Sequence, residues 1–127
     1  MHPRVGPSAE ELRTALHEAA DWVAAYLQNV GDRPVLAQVS PSEIAARLPQ
    51  APPEQGESLK DILQGLDRLI LPGISHWNHP AFSAYFGISG SGPGIVGELI
   101  CAALNVNAML WRTSPSATEL EQRTLGG

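Results

Sequence analysis

The chain has 127 residues, a net charge of −5 and 43% hydrophobic residues, which sets an upper bound of one domain. Acids and bases are interspersed, so there is no basic footprint for nucleic acid, and no apolar run approaches the ~20 residues of a membrane span. A single cysteine, Cys101, excludes a disulfide framework and suits a reducing, cytoplasmic setting.

The elements expected along the chain are all helices. Ser8 and Glu11 form a capping-box pair. Behind them Leu12, Leu16, Ala19, Val23, Tyr26 and Val30 recur at helical spacing, with Trp22 and Leu27 widening the seam. Gly31 is expected to end this helix in a left-handed conformation. Residues 32–36 read as an extended connector, because the residue before Pro34 is pushed out of the helical region. Ser40-Pro41-Ser42-Glu43 reads as a second start, with the cap at Ser40 and Pro41 first in the helix. Residues 49–57 are a polar, proline-rich linker. Ser58 and Asp61 open a third helix that presents Leu59, Ile62, Leu63, Leu66, Leu69 and Ile70 on one face, until Pro72-Gly73 stops it. Pro93 opens a fourth, with Ile95, Val96, Leu99, Ile100, Ala103 and Leu104 expected inward, and Ser114-Pro115 a fifth. The fragment is therefore expected to be mainly α. These amphipathic faces ask for more partner surface than 127 residues supply.

Chemistry concentrates between His76 and Glu119. Trp77, Phe82, Tyr85 and Phe86, four of the seven aromatic residues, fall within ten positions, bracketed by glycines and prolines. Such a segment lines a pocket or interface as readily as it fills a core. The glycine-rich run 87–94 ahead of a helix suits either an anion at a helix N-terminus or close backbone packing. It has neither the Gly-Lys-Ser/Thr of a phosphate loop nor the spacing of a dinucleotide fingerprint. His76 and His79 lack a third ligand nearby, so no metal site is expected. Asn105 and Asn107 suit cap and turn positions. The sole lysine, Lys60, sits on the polar side of a helix, without the desolvated setting of a reactive amine. No residue is assigned as catalytic.

The run HWNHP…AYF…GSGPG…ALNVNAMLWRTSP with the following ATELE resembles the N-terminal part of the group II pyridoxal-phosphate-dependent decarboxylases, nearest the aromatic-L-amino-acid decarboxylases. The stretches from Ala24 to Val35 and from Glu57 to Trp77 are similar in order and spacing, so the resemblance covers residues 10–123. It implies an α/β, fold type I parent, with residues 1–73 a helical dimerisation arm and 74–127 the substrate-wall loop and first helices of the large domain. It implies a homodimer whose arm packs on the other subunit, an amino-acid substrate, and pyridoxal 5′-phosphate held by a lysine that these 127 residues do not contain. The expectation is an N-terminal segment that is inactive by itself. The alternative is a non-catalytic helical interaction remnant of such an enzyme.

By the same resemblance the substrate-facing residues are Trp77, Tyr85, Phe86, Ile88, Ser89, Asn107 and Met109. Ile88 stands where the animal enzymes have a threonine, and Ser89 offers a neighbouring hydroxyl. Asn107 and Met109 stand where two apolar or aromatic residues of the family reach into the partner's active site, and Asn107 would make that site more polar. No cofactor-binding residue is assigned within the chain.

Overall fold

A computed structural model describes residues 6–86 and 90–126; Ile88 and Ser89 lie outside the described residues. Two compact units divide between Ser89 and Gly90. The described residues are helical, with no strand among them.

In the first unit, helix α1 (Ala9–Asn29) opens on the expected capping box: the Glu11 amide donates to Ser8 Oγ and the Ser8 amide to the Glu11 carboxylate. Hydrogen bonding to its carboxylate from the Ser8 side chain, and then from the Ser8 amide, holds the Glu11 carboxyl below its ordinary value. The end of α1 differs from expectation. Gly31 is not left-handed; the chain tightens into a 3-10 turn, Val30–Asp32, closed by the Arg33 amide on the Val30 carbonyl at 3.2 Å. Gly31 serves instead through its carbonyl oxygen, which accepts from His79 Nε2 at 3.1 Å.

Helix α2 (Glu43–Arg47) begins two residues later than the sequence suggests. Ser40 and Glu43 do pair, with the Ser40 amide and hydroxyl both on Glu43 Oε2 at 3.2 Å. That pairing closes a turn, in which Ser42 takes φ 72°, before the helix starts. Helix α3 (Leu59–Gly65) is capped by Ser58, whose hydroxyl accepts from the Asp61 amide. It then widens into a π turn, Leu66–Ile70, and a 3-10 turn, Leu71–Gly73. The sequence pattern reads as one continuous helix here. Pro72 supplies the reason: in an α-helix its ring would clash with the carbonyl four residues back, at Arg68.

The α3 segment packs on α1, and Trp22 Nε1 donates to Asp67 Oδ1 at 3.0 Å. The seam of α1 is buried only toward its C-terminal end. Val30 and Leu71 are the buried hydrophobic residues among those described, while Leu12 and Leu16 are exposed.

In the second unit, α4 (Gly92–Leu104) is capped by Ser91 and ends on Asn105 at φ 46°. Helix α5 (Pro115–Leu125) follows, with Pro115 at its first position as expected. The inward face expected for α4 is not inward: Val96, Leu99, Ile100 and Leu104 are all more than half exposed within this unit. Among the described residues no helix of this unit packs closely on α4, so its apolar side chains are left without a neighbour.

Candidate functional site: an aromatic wall and a clamped loop

The wall is anchored by a buried histidine. His76 is 3% exposed; its amide donates to the Val35 carbonyl at 2.9 Å, and its Nδ1 lies 2.8 Å from Tyr26 Oη. Residues 74–86 lie in the first compact unit. Burial, and then the positive charge of Arg33, hold the His76 imidazole below its ordinary pKa. His79 is tied at both nitrogens: the Ala81 amide donates to Nδ1 at 2.9 Å, which leaves the proton on Nε2 to bond Gly31. The two imidazoles are therefore fold-holding groups.

From that anchor the chain makes two tight turns, with the His79 amide on the His76 carbonyl and the Phe82 amide on the His79 carbonyl. The turns stack three rings. Trp77 lies 4.8 Å from Phe82 and 6.1 Å from Tyr85 between centroids, nearly parallel to the latter at 9°. Tyr85 takes φ 54°, a conformation few non-glycine residues adopt, and is 88% exposed; Phe86 is exposed too. Trp77 and Tyr85 are thus brought together with Phe82, while Phe86 makes no ring contact among the described residues.

Beside the anchor lies a cleft of about 330 Å³ whose lining includes Arg33, Glu43, Arg47, Leu71 and His76. Sequence reasoning missed it, because its residues come from segments far apart in the chain. The Arg33 guanidinium lies over the Tyr26 ring at 5.8 Å, and its buried Nε has no partner among the described residues.

Where it is described, the glycine run meets no neighbouring backbone: a Cβ at Gly92 would have nothing near it, and one at Gly94 would meet Ser91 Oγ. In the first turn of α4, Pro93 has no amide, the Gly94 amide goes to Ser91 Oγ at 3.1 Å, and the Ile95 amide goes to the Ser91 carbonyl. That terminus is closed on its own cap.

Asn107 and Met109 occupy the loop between α4 and α5. Both asparagines take the backbone roles open to them: Asn105 is the left-handed cap of α4, and Asn107 Oδ1 accepts the Met109 amide at 3.0 Å. Thr113 Oγ1 is 2.8 Å from the carbonyl oxygens of both Asn107 and Leu110. Trp111 Nε1 donates to Glu119 Oε1 of α5 at 3.0 Å. Met109 is left 85% exposed.

A pyridoxal group needs a lysine held out of water. Lys60, in the first turn of α3, is exposed, so the residues present do not fit that group.

Residues 41–126 match the family model described as the pyridoxal-dependent decarboxylase conserved domain. Over 117 residues the chain is 43% identical to tyrosine decarboxylase 2 of Arabidopsis thaliana, covering 89% of this chain and 22% of that protein. The crystal structure of Catharanthus roseus tryptophan decarboxylase in complex with L-tryptophan superposes with a TM-score of 0.90 at 36% identity, over 97% of this chain and 26% of that one. The structure of Rhodiola rosea 4-hydroxyphenylacetaldehyde synthase superposes at 0.86 and 40% identity, over 91% and 25%. The chain spans about a quarter of the length of these relatives.

Proposed function

The chain belongs to the pyridoxal-dependent decarboxylase family, and on that premise we propose that it is the N-terminal part of a pyridoxal-phosphate-dependent carboxy-lyase acting on an aromatic L-amino acid. The observation that carries the substrate class is the exposed ring surface of Trp77 and Tyr85, stacked in advance with Phe82 and anchored through buried His76. A flat aromatic side chain finds there an apolar face already ordered, so little entropy is lost on binding. By the resemblance Ile88 and Ser89, next in the sequence, are proposed as further substrate-facing residues, and Met109 as one that reaches the partner subunit's site. No catalytic step is assigned to a side chain of this chain. Lys60 is unsuited to hold the cofactor, whose lysine comes from elsewhere in the functional enzyme.

The assembly we propose is a homodimer in the cytoplasm. The apolar faces of α1 and α4 support the first, and the exposed free thiol of Cys101 suits the reducing setting of the second.

Two measurements test the reading. The coding sequence past the Gly127 codon is expected to continue in frame to a His-Lys pair; an immediate stop would favour the non-catalytic interaction remnant. The polypeptide so encoded, supplied with pyridoxal phosphate and L-tyrosine, L-tryptophan or L-dopa, is expected to release CO2 and the matching amine. An aldehyde in place of the amine would assign the synthase reaction named for the Rhodiola relative. CO2 release from none of the three would overturn the aromatic assignment.

A further inference from the structure

We infer that Asn107 is a positioning residue: its side-chain carbonyl locks the α4–α5 loop so that Met109 stands out as a fixed apolar probe. The inference rests on the proposed reading only for what Met109 faces. The lock itself stands on geometry.

The sequence poses the problem. Asn107 interrupts an apolar run, Leu104 to Leu110, where a hydrophobic residue would extend the exposed surface. A polar residue there is explained by contact with a ligand or by work on the backbone. The structure shows the second. Asn107 Oδ1 is turned back along the chain onto the Met109 amide, two residues on, as an Asx turn requires. The Asn107 carbonyl oxygen is held at the same time by Thr113 Oγ1. One residue therefore fixes the start of the loop by its side chain and spans the loop by its main chain.

The remaining ties are at the loop's ends. Asn105 closes α4, the Thr113 and Ser114 amides both return to the Leu110 carbonyl, and Trp111 is tied to Glu119. Met109 is a large apolar residue of this loop that combines 85% exposure with a tethered backbone amide. An unbranched thioether side chain adapts its own rotamers to an apolar surface. What it cannot supply is a fixed origin, and the Asx turn supplies that. On this account the Asn107 acceptor oxygen is engaged by the backbone and is not offered to the substrate site.

The test compares Asn107→Asp, which keeps an acceptor oxygen, with Asn107→Leu, which does not. Amide hydrogen exchange at Met109 and the order of its ¹³C-labelled methyl group are read in the 127-residue chain by NMR. Asn107→Leu is expected to speed exchange at Met109 about fivefold, the worth of one hydrogen bond, and to lower methyl order, with α4 amides unchanged. Asn107→Asp is expected to stay within about twofold of the parent. Thr113→Val, which removes only the hydroxyl clamp, is expected to move exchange the same way, and it decides the matter if Asn107→Leu fails to fold. Unchanged exchange in the leucine variant, or an aspartate variant as fast as the leucine one, would overturn the lock. In an enzyme active as proposed above, Asn107→Leu raises KM with kcat kept, and Asn107→Asp restores KM. A preparation with no activity would refute the proposed function while leaving the exchange result to decide the lock.

Discussion

His76 shows how one side chain can join a wall to an arm. Its ring is buried against Tyr26, with the positive charge of Arg33 nearby, and its imidazole titrates below the ordinary value near 6.5. The sign of the consequence follows from proton counting. Between the folded value and about 6.5 the unfolded chain binds more protons than the folded one, so stability rises with pH across that window. The contribution is complete above about 6.5 and is lost as pH falls through the folded value. Urea unfolding at pH 7.5 and 5.5 is expected to show lower stability at 5.5, and a His76→Gln variant to flatten that difference. Tyr26→Phe removes the hydroxyl partner and leaves a buried ring nitrogen unpaired. It is expected to cost about 1–2 kcal/mol at pH 7.5. None of this was legible in the sequence, because Tyr26 and His76 lie fifty residues apart.

At the scale of elements, the signals that could be read were those closed within one turn. The Ser8–Glu11 box, the Ser58 cap and the proline at the start of α5 all form as their spacing implies. The readings that failed depended on more than one turn. Ser40 and Glu43 pair, yet they close a turn rather than start a helix, and the α3 pattern hides a π turn forced by Pro72. The site was legible in type but not in arrangement: the aromatic cluster and the cap and turn roles of Asn105 and Asn107 are visible in the sequence, whereas the left-handed backbone of Tyr85 is not. The start of α4 offers a quantitative check on capping. A Cβ added at Gly94 would meet Ser91 Oγ at 2.9 Å, which displaces the hydroxyl that caps the helix. Gly94→Ala therefore sets a propensity gain of about 1 kcal/mol against a cap loss of about 1 kcal/mol. Alone it is expected to be near neutral in thermal unfolding. In a Ser91→Ala background, already destabilised, it is expected to stabilise by the full propensity term.

For the molecule as a whole, uncovered apolar surface outweighs core. Val30 and Leu71 are buried, whereas Val96, Leu99, Ile100 and Leu104 remain more than half exposed in their own unit. Burying a side chain of that size is worth about 1.5–3 kcal/mol, so a row of four gives a strong drive to associate. Sedimentation velocity at micromolar concentration is expected to show self-association, and Leu99→Glu to lower it at least tenfold. An unchanged sedimentation profile in the variant would remove α4 from the contact. The ring stack on the arm has a different consequence, an optical one. The three indoles sit in two settings: Trp22 and Trp111 each donate to a carboxylate, while Trp77 lies half-exposed and stacked with Phe82 and Tyr85. Its emission carries the signature of that stack, and an aromatic solute settling on the wall changes its light before any chemistry begins.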